Sequence, residues 1–312
     1  MSESLPVVSL AAFSDGGVAE RAEMVRVLGD ALGSYGFCAV KDHGLTPGLI
    51  DEVYGAMRDV FAQPTEQKER SVIAESHGNR GYVGRGKEHA KGSTVGDLKE
   101  FWHVGRELPA LGAGGRNAWP DHPTFQSKSL ALYGELEQVA LRLLQAIAAG
   151  LKLPEDSFSS MVEGGNSILR MIHYPPLQEL YTPGAVRSAA HEDINMLTLL
   201  CESTHAGLEL LTKDGRWMSV DTPPGQLIVD TGDMMQRVTR GAMRSTTHRV
   251  VNPKTGDTAR YSIPFFAHPR PECVLKPLGE GVSGFAGDTS PITAKDFLEQ
   301  RLRENGLKPA QA

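Results

Sequence analysis

His191-Glu192-Asp193-Ile194-Asn195-Met196-Leu197-Thr198 is the stretch from which the rest of the chain can be read. In an extended strand, residues i and i+2 share a face, so His191 and Asp193 project together while Glu192 points away. A further histidine, His248, stands 55 positions after Asp193, and Arg260-Tyr261-Ser262 follows it. For His248 to join the pair, a distant strand must fold back beside the first, as it does in a jelly roll. Two imidazoles and one carboxylate can hold one side of a non-haem Fe(II) ion, leaving positions open for O2 and a chelating co-substrate. An isolated His-x-Asp means little. Its weight comes from His248 heading an apolar run and from Arg260 and Ser262 alternating after it. Zn(II) accepts the same donors, but the chain has no HExxH, and hydrolysis gives an Arg-x-Ser pair no task.

Composition narrows the classes. The 312 residues allow one large domain or two ordinary ones. With 40% hydrophobic and 22% charged residues, the chain can bury a sizeable core. A net charge of −6 argues against nucleic acid or an anionic membrane as main partner. No apolar run approaches the roughly 20 residues of a membrane span. Met1-Ser-Glu-Ser-Leu-Pro lacks a basic region followed by an apolar one, so a secretory leader is not expected, and a cytoplasmic location follows by elimination. Cys38, Cys201 and Cys273 are far apart and lack CxxC spacing, which points to free buried thiols. A monomer is the default expectation.

The periodicity predicts a mixed α+β chain with a mainly β core. Pro6 to Leu10 reads as a short strand, Ala19 to Leu32 as an amphipathic helix, Gly36 to Val40 as a buried strand and Leu49 to Phe61 as a second helix. Residues 76–97, rich in Gly, Lys and Arg, read as a long loop. Phe125 to Leu151 carries an apolar stripe through Leu130, Tyr133, Leu136, Val139, Ala140, Leu143, Leu144 and Ile147, which predicts a long spine helix. Beyond Gly164-Gly165, short apolar runs recur between turn signals: Ile168 to Tyr174, Met196 to Cys201, Leu208 to Leu211, Trp217 to Val220, Leu227 to Val229, His248 to Val251 and Tyr261 to Ala267. Asp214-Gly215 is a hairpin signal. Many short strands at this spacing fit a jelly roll, or double-stranded β-helix. Thr293 to Asn305 returns to helix, with Thr293 as N-cap. The expected division is an N-terminal α/β region at 1–123, a spine helix and linker at 124–164, a jelly-roll core at 165–275 and a C-terminal helical tail at 276–312.

Four stretches carry a family resemblance: Tyr35 to Leu45 (YGFCAVKDHGL), Leu169 to Pro176 (LRMIHYPP), His191 to Thr198 (HEDINMLT), and a run from Gly207 through Trp217, Pro223-Pro224-Gly225, Gly232-Asp233 and Ser245 to His248-Arg249-Val250 and Arg260-Tyr261-Ser262. They span nearly the whole chain. It resembles the isopenicillin N synthase-like branch of the 2-oxoglutarate/Fe(II)-dependent dioxygenases. The resemblance implies a non-haem dioxygenase N-terminal region and a jelly-roll core, with His191, Asp193 and His248 binding Fe(II). It implies that Arg260, Ser262 and Tyr174 hold the far carboxylate of 2-oxoglutarate. O2 would then oxidise a small molecule, with hydroxylation, desaturation and ring closure all within the family's range, and release succinate and CO2. Two departures stand out. Ile172 replaces an asparagine that the family often carries, and the spacing of 12 between His248 and Arg260 is slightly long, with Asn252 to Gly256 as a turn to absorb it.

Other candidates carry two readings each. Arg170 shares a strand face with Ile172 and Tyr174, so it either meets an anionic substrate or forms a salt bridge at the barrel rim. Arg85, Lys87, His89 and Lys91 either line an entrance or form a solvated basic loop. Phe101, Trp102 and His103 could cover the site, with core packing the stronger reading for the first two. No GK[ST] follows the Gly81–Gly86 stretch and no GxSxG is present, which removes a phosphate-binding loop and a serine nucleophile elbow. Two functional alternatives remain: an oxidase of the isopenicillin N synthase or aminocyclopropanecarboxylate oxidase type needing no 2-oxo acid, and a metal-dependent jelly roll that binds ligand without turnover.

Overall fold

The computed structural model describes residues 4–87, 96–108, 112, 114–176, 186–253 and 258–304. The first part alternates strand and helix: β1 (Val7–Ser9), α1 (Leu10–Ser14), α2 (Val18–Ser34), β2 (Phe37–Lys41), α3 (Leu49–Phe61), α4 (Thr65–Glu69), β3 (Gly81–Val83) and β4 (Glu100–Gly105). Then come α5 (Phe125–Gly150) and α6 (Asp156–Val162). The β-rich part holds β5 (Ile168–Tyr174), β6 (Ser188–His191), β7 (Leu197–Leu200), β8 (Leu208–Leu211), β9 (Trp217–Ser219), β10 (Leu227–Thr231), α7 (Asp233–Val238), β11 (His248–Val250), β12 (Arg260–Ser262) and β13 (Pro264–Ala267). The tail adds β14 (Val274–Leu275), β15 (Ile292–Thr293) and α8 (Ala294–Glu304).

Nine strands make a large sheet in the order β1-β2-β10-β7-β13-β5-β4-β3, with β12 also pairing β5; β6-β11-β8-β9 make a smaller one. The two sheets enclose the interior of a jelly roll. Pairing register decides what faces it, because residues directly opposite across paired strands share a face. Asp230 pairs with Phe37 and Thr198, Phe266 with Thr198 and Ile168, and Arg170 with His103. Ile172 pairs with Phe101 and Ser262, and Arg260 with Tyr174. All these residues therefore share one face. On the small sheet, His248 pairs with both His191 and Leu210, and Leu210 with Met218. Phe37, Ala39, Leu208, Leu210, Met218 and Ile228 meet as an apolar plug between the sheets. The other face of the large sheet, with Val40, Val229, Leu197, Leu199, Phe265, Met171, Trp102 and Val104, packs against the helices.

The N-terminal strands do not form a sheet of their own. β1 and β2 extend the large sheet beside β10, and β3 and β4 extend it beside β5. The stretch expected as a loop at 76–97 thus contributes β3; His89 and Lys91 lie outside the described residues. Gly36, at φ +72°, makes the sharp passage from α2 into β2, and a Cβ there would lie 2.4 Å from the Arg244 carbonyl. Gly215, at φ +82°, turns the β8–β9 hairpin.

The spine helix α5 buries Leu136, Val139, Ala140, Leu143, Leu144 and Ile147, each Leu-sized side chain contributing about 2 kcal/mol. Leu130, expected in this stripe, is exposed, and Leu132 is buried instead. Thr293 caps α8: its Oγ1 accepts from the Asp296 backbone N–H at 3.1 Å. The expected strand from Tyr261 to Ala267 is two strands, β12 and β13, which pair with different stretches of β5. Cys38 and Cys201 are buried free thiols and Cys273 is half-buried. Among the described residues no helix is long and apolar enough to cross a membrane.

Candidate metal centre

His191 ends β6 and His248 begins β11, and the register sets them side by side on the inner face of the small sheet. Their ring centroids are 4.4 Å apart. Asp193 does not extend the strand, which ends at His191; it lies two residues on, in the connection to β7. Its Oδ1 is nevertheless 3.8 Å from Nε2 of each histidine. The three candidate ligand atoms all lie within 4.8 Å of one another. Glu192 points elsewhere and accepts a hydrogen bond from the Thr247 hydroxyl.

The backbone fixes each ring's role. His191 Nδ1 is 2.8 Å from the Ala189 carbonyl and His248 Nδ1 is 3.1 Å from the Thr246 carbonyl. A carbonyl only accepts, so both Nδ1 atoms carry protons, and Nε2 of each ring is the atom turned toward Asp193 Oδ1. The Thr198 hydroxyl donates to the other carboxylate oxygen of Asp193 and accepts from Asn195 Nδ2 at 2.9 Å. Phe37 meets His248 edge-on at 5.5 Å. Burial and the neighbouring His248 lower the pKa of His191, which keeps it in the ligating neutral form. Asp230, on the inner face of β10, is held well above the usual carboxylate range, first by burial and then by Asp193. Two imidazole nitrogens and one carboxylate oxygen converging from one side fit Fe(II).

From His248 the inner face of β11 continues to Val250, which packs with Phe101, Ile172 and Tyr174. Arg260 lies over Tyr174, with Cζ 5.1 Å from the ring centroid. Arg260 is 1% exposed. Its Nε donates to the His205 carbonyl at 3.0 Å, but its buried Nη1 has no partner, and no carboxylate lies within ion-pair distance among the described residues. A buried guanidinium without a counter-charge costs several kcal/mol. This is the arrangement expected of a protein that receives its carboxylate from a ligand. Ser262 is also buried, two residues along the same face. Ile172 removes the polar contact that asparagine would give, leaving an apolar wall between Phe101 and Ser262.

In front of the triad is a cavity of about 400 Å³, lined by residues that include His191, Asp193, Lys99, His103, Arg170 and His268. Arg170 is thus on the cavity wall. Arg85 is not; its Nη2 lies 3.6 Å from Glu100 Oε1, with Glu100 on the helix-facing side of β4. Lys87 is not on that wall either. Phe101 faces the interior, whereas Trp102 is fully buried toward the helices. Lys254, Thr255 and Gly256 of the expected turn lie outside the described residues, while Asn252 Oδ1 accepts from the Arg187 backbone N–H at 3.0 Å.

Sequence reasoning missed several wall residues. Lys99 reaches Asp97 Oδ2 at 2.8 Å and Ser188 Oγ at 3.2 Å. His268, just after β13, has a buried Nδ1 without a partner. Its pKa is pushed down to about 4 by burial, with Arg80 adding to the effect and Asp193 opposing it. Leu298, Arg301 and Leu302 of α8 close one side.

Two family models match the chain: non-haem dioxygenase in morphine synthesis N-terminal, over residues 5–122, and 2OG-Fe(II) oxygenase superfamily, over residues 165–269. A 2-oxoglutarate-dependent dioxygenase of Didymella fabae is 30% identical over 283 residues, covering 85% of each chain. Among solved structures, a 2OG-Fe(II) oxygenase family protein from Caulobacter crescentus is 38% identical, with TM-score 0.85 over 97% of this chain and 99% of that one. A full-length Neurospora crassa protein in complex with alpha-KG and thymine is 26% identical, with TM-score 0.85 over 96% of each chain.

Proposed function

Because the chain belongs to the 2-oxoglutarate/Fe(II)-dependent dioxygenase superfamily, we propose that His191, Asp193 and His248 are its iron ligands and that Arg260, Ser262 and Tyr174 anchor its co-substrate. The chain is an oxidoreductase that uses Fe(II), 2-oxoglutarate and O2 on a small molecule. Fe(II) bound at such a site couples oxidative decarboxylation of 2-oxoglutarate, giving succinate and CO2, to oxidation of the second substrate.

The chain's own residues prepare that chemistry. The Ala189 and Thr246 carbonyls hold the two rings in the ligating tautomer, and the Thr198 hydroxyl holds the Asp193 carboxylate. Arg260 takes the distal carboxylate through its planar fork, with Ser262 and Tyr174 adding hydroxyl contacts. The apolar surface of Phe101, Ile172 and Val250 keeps water from this end. Arg170 borders the primary-substrate cavity, and we assign no substrate contact to Arg85.

One observation carries the co-substrate assignment: the buried Nη1 of Arg260, which has no partner among the described residues. It favours a dicarboxylate co-substrate over the oxidase alternative, whose reaction takes all its electrons from the primary substrate. The intact ligand set argues against a non-catalytic binding protein. The four-part division at 123, 164 and 275, a monomeric state and a cytoplasmic location belong to this proposal, as does the absence of a nucleic-acid or anionic-membrane partner, which the net charge of −6 supports. The test is O2 consumption and succinate release on adding Fe(II) and 2-oxoglutarate, with slow uncoupled turnover expected even without the primary substrate. O2 uptake that ignores 2-oxoglutarate would favour the oxidase.

A further inference from the structure

A second cavity, of about 240 Å³, adjoins the one in front of the triad. Four residues border both: Asn79, His268, Leu298 and Leu302. Leu298 and Leu302 stand four positions apart on α8, so they share one face of that helix, and both are only partly buried. Beyond this neck, Met234, Pro269, Pro271 and Ala294 give the second cavity an apolar side. An apolar cavity of about 150 Å³ holds a benzene ring. The larger volume here takes an aromatic ring with a short link.

His268 stands at the neck with its ring unengaged. The residue is 7% exposed, and its backbone N–H donates to Ser167 Oγ at 3.3 Å. Its buried Nδ1 has no partner, and the ring makes no hydrogen bond among the described residues. The charged groups on the same wall differ: Lys99 is held by Asp97 and Ser188, and Arg170 by His103. Burial keeps the His268 ring neutral, so it has one N–H donor and one lone pair. A buried polar group left unpaired is costly, and a ligand that pairs with it removes that cost. An amide suits either tautomer, because its carbonyl accepts and its N–H donates.

We propose that the two cavities form one bent substrate chamber with its corner at His268, and that the primary substrate is elongated. The end to be oxidised faces the triad, an uncharged polar group such as an amide bonds His268, and an apolar end the size of an aromatic ring lies beneath α8. The inference rests on the triad cavity being the substrate cavity, as proposed above. It adds the substrate's chemical class and a residue that selects it.

The test is a calorimetric titration of the full chain with 3-phenylpropanamide, under anaerobic conditions, with and without Fe(II). Wild type binds one amide per chain, and His268→Leu, which removes the hydrogen bond, weakens it about 5-fold or more. Leu302→Trp, which narrows the neck, weakens it about 10-fold or more, while His268→Gln, which restores a donor and an acceptor, stays within about 3-fold. The nitrogen-15 resonances of the His268 ring shift when the amide is added. With Fe(II), 2-oxoglutarate and air, the amide raises succinate release by wild type. Four results would each overturn the proposal: no amide binding by wild type, unchanged binding in His268→Leu or in Leu302→Trp, full displacement of the amide by 2-oxoglutarate, or binding that leaves succinate release unchanged. Since binding is measured without metal as well, failure of the iron assignment is seen separately, as no succinate with or without the amide.

Discussion

Replacing Arg260 by methionine separates two roles that a buried guanidinium can have, structural and ligand-binding. In the free protein Arg260 makes one hydrogen bond among the described residues, to the carbonyl of exposed His205, and its buried Nη1 has no partner there. Methionine fills a similar volume without a charge to desolvate, and water can satisfy the His205 carbonyl. The ligand-free variant should therefore lie within about 1 kcal/mol of wild type. With 2-oxoglutarate the outcome reverses. Two charge-assisted hydrogen bonds of about 1.5 kcal/mol each are lost, which weakens binding by about 100-fold. Under anaerobic Fe(II), at a 2-oxoglutarate concentration 100 times the wild-type Kd, ligand stabilises wild type by about 2.7 kcal/mol and the variant by about 0.4 kcal/mol. In thermal unfolding that becomes a shift of about 5 °C against one of about 1 °C or less. A variant that keeps the wild-type shift, or that collapses without ligand, would show that Arg260 is a structural arginine.

Other expectations follow from the same geometry. Thr198→Val preserves shape but removes the donor to Asp193, so Fe(II) affinity measured by competition should fall about 10-fold or more while the fold persists. Burial, helped by Arg80 and opposed by Asp193, holds His268 at a folded pKa of about 4 against an unfolded 6.5. The folded state therefore binds fewer protons, and stability from this group is complete above pH 6.5 and declines as pH falls toward 4. In metal-free protein, urea midpoints should show wild type losing about 2 kcal/mol more than His268→Gln between pH 7 and 5; equal losses would refute the buried neutral ring.

The triad was legible because its residue types are rare in combination and its spacing demands a returning strand. Alternation put Arg260 and Ser262 on one face, Tyr174 was named through the family resemblance, and the register sets Arg260 opposite Tyr174. Helices such as Leu49–Phe61 announced themselves through period. The cavity wall did not. In Phe101-Trp102-His103 the first two residues both look like core, and only pairing with β5 decides that Phe101 and His103 face inward and Trp102 toward the helices. Nothing local in Leu298 or Arg301 says that the tail helix folds back onto the cavity. His268 has no motif, and its role arises from where β13 ends. Long-range register, which one-dimensional periodicity does not carry, separates the two groups.

The central claim is that His191, Asp193 and His248 hold iron with 2-oxoglutarate beside it. It is tested most directly by the visible spectrum of the anaerobic protein with Fe(II) and 2-oxoglutarate. The account predicts a weak metal-to-ligand charge-transfer band that needs both additions and is absent in His191→Ala. A wild-type protein that shows no band, or a His191→Ala variant that keeps it, would contradict the account.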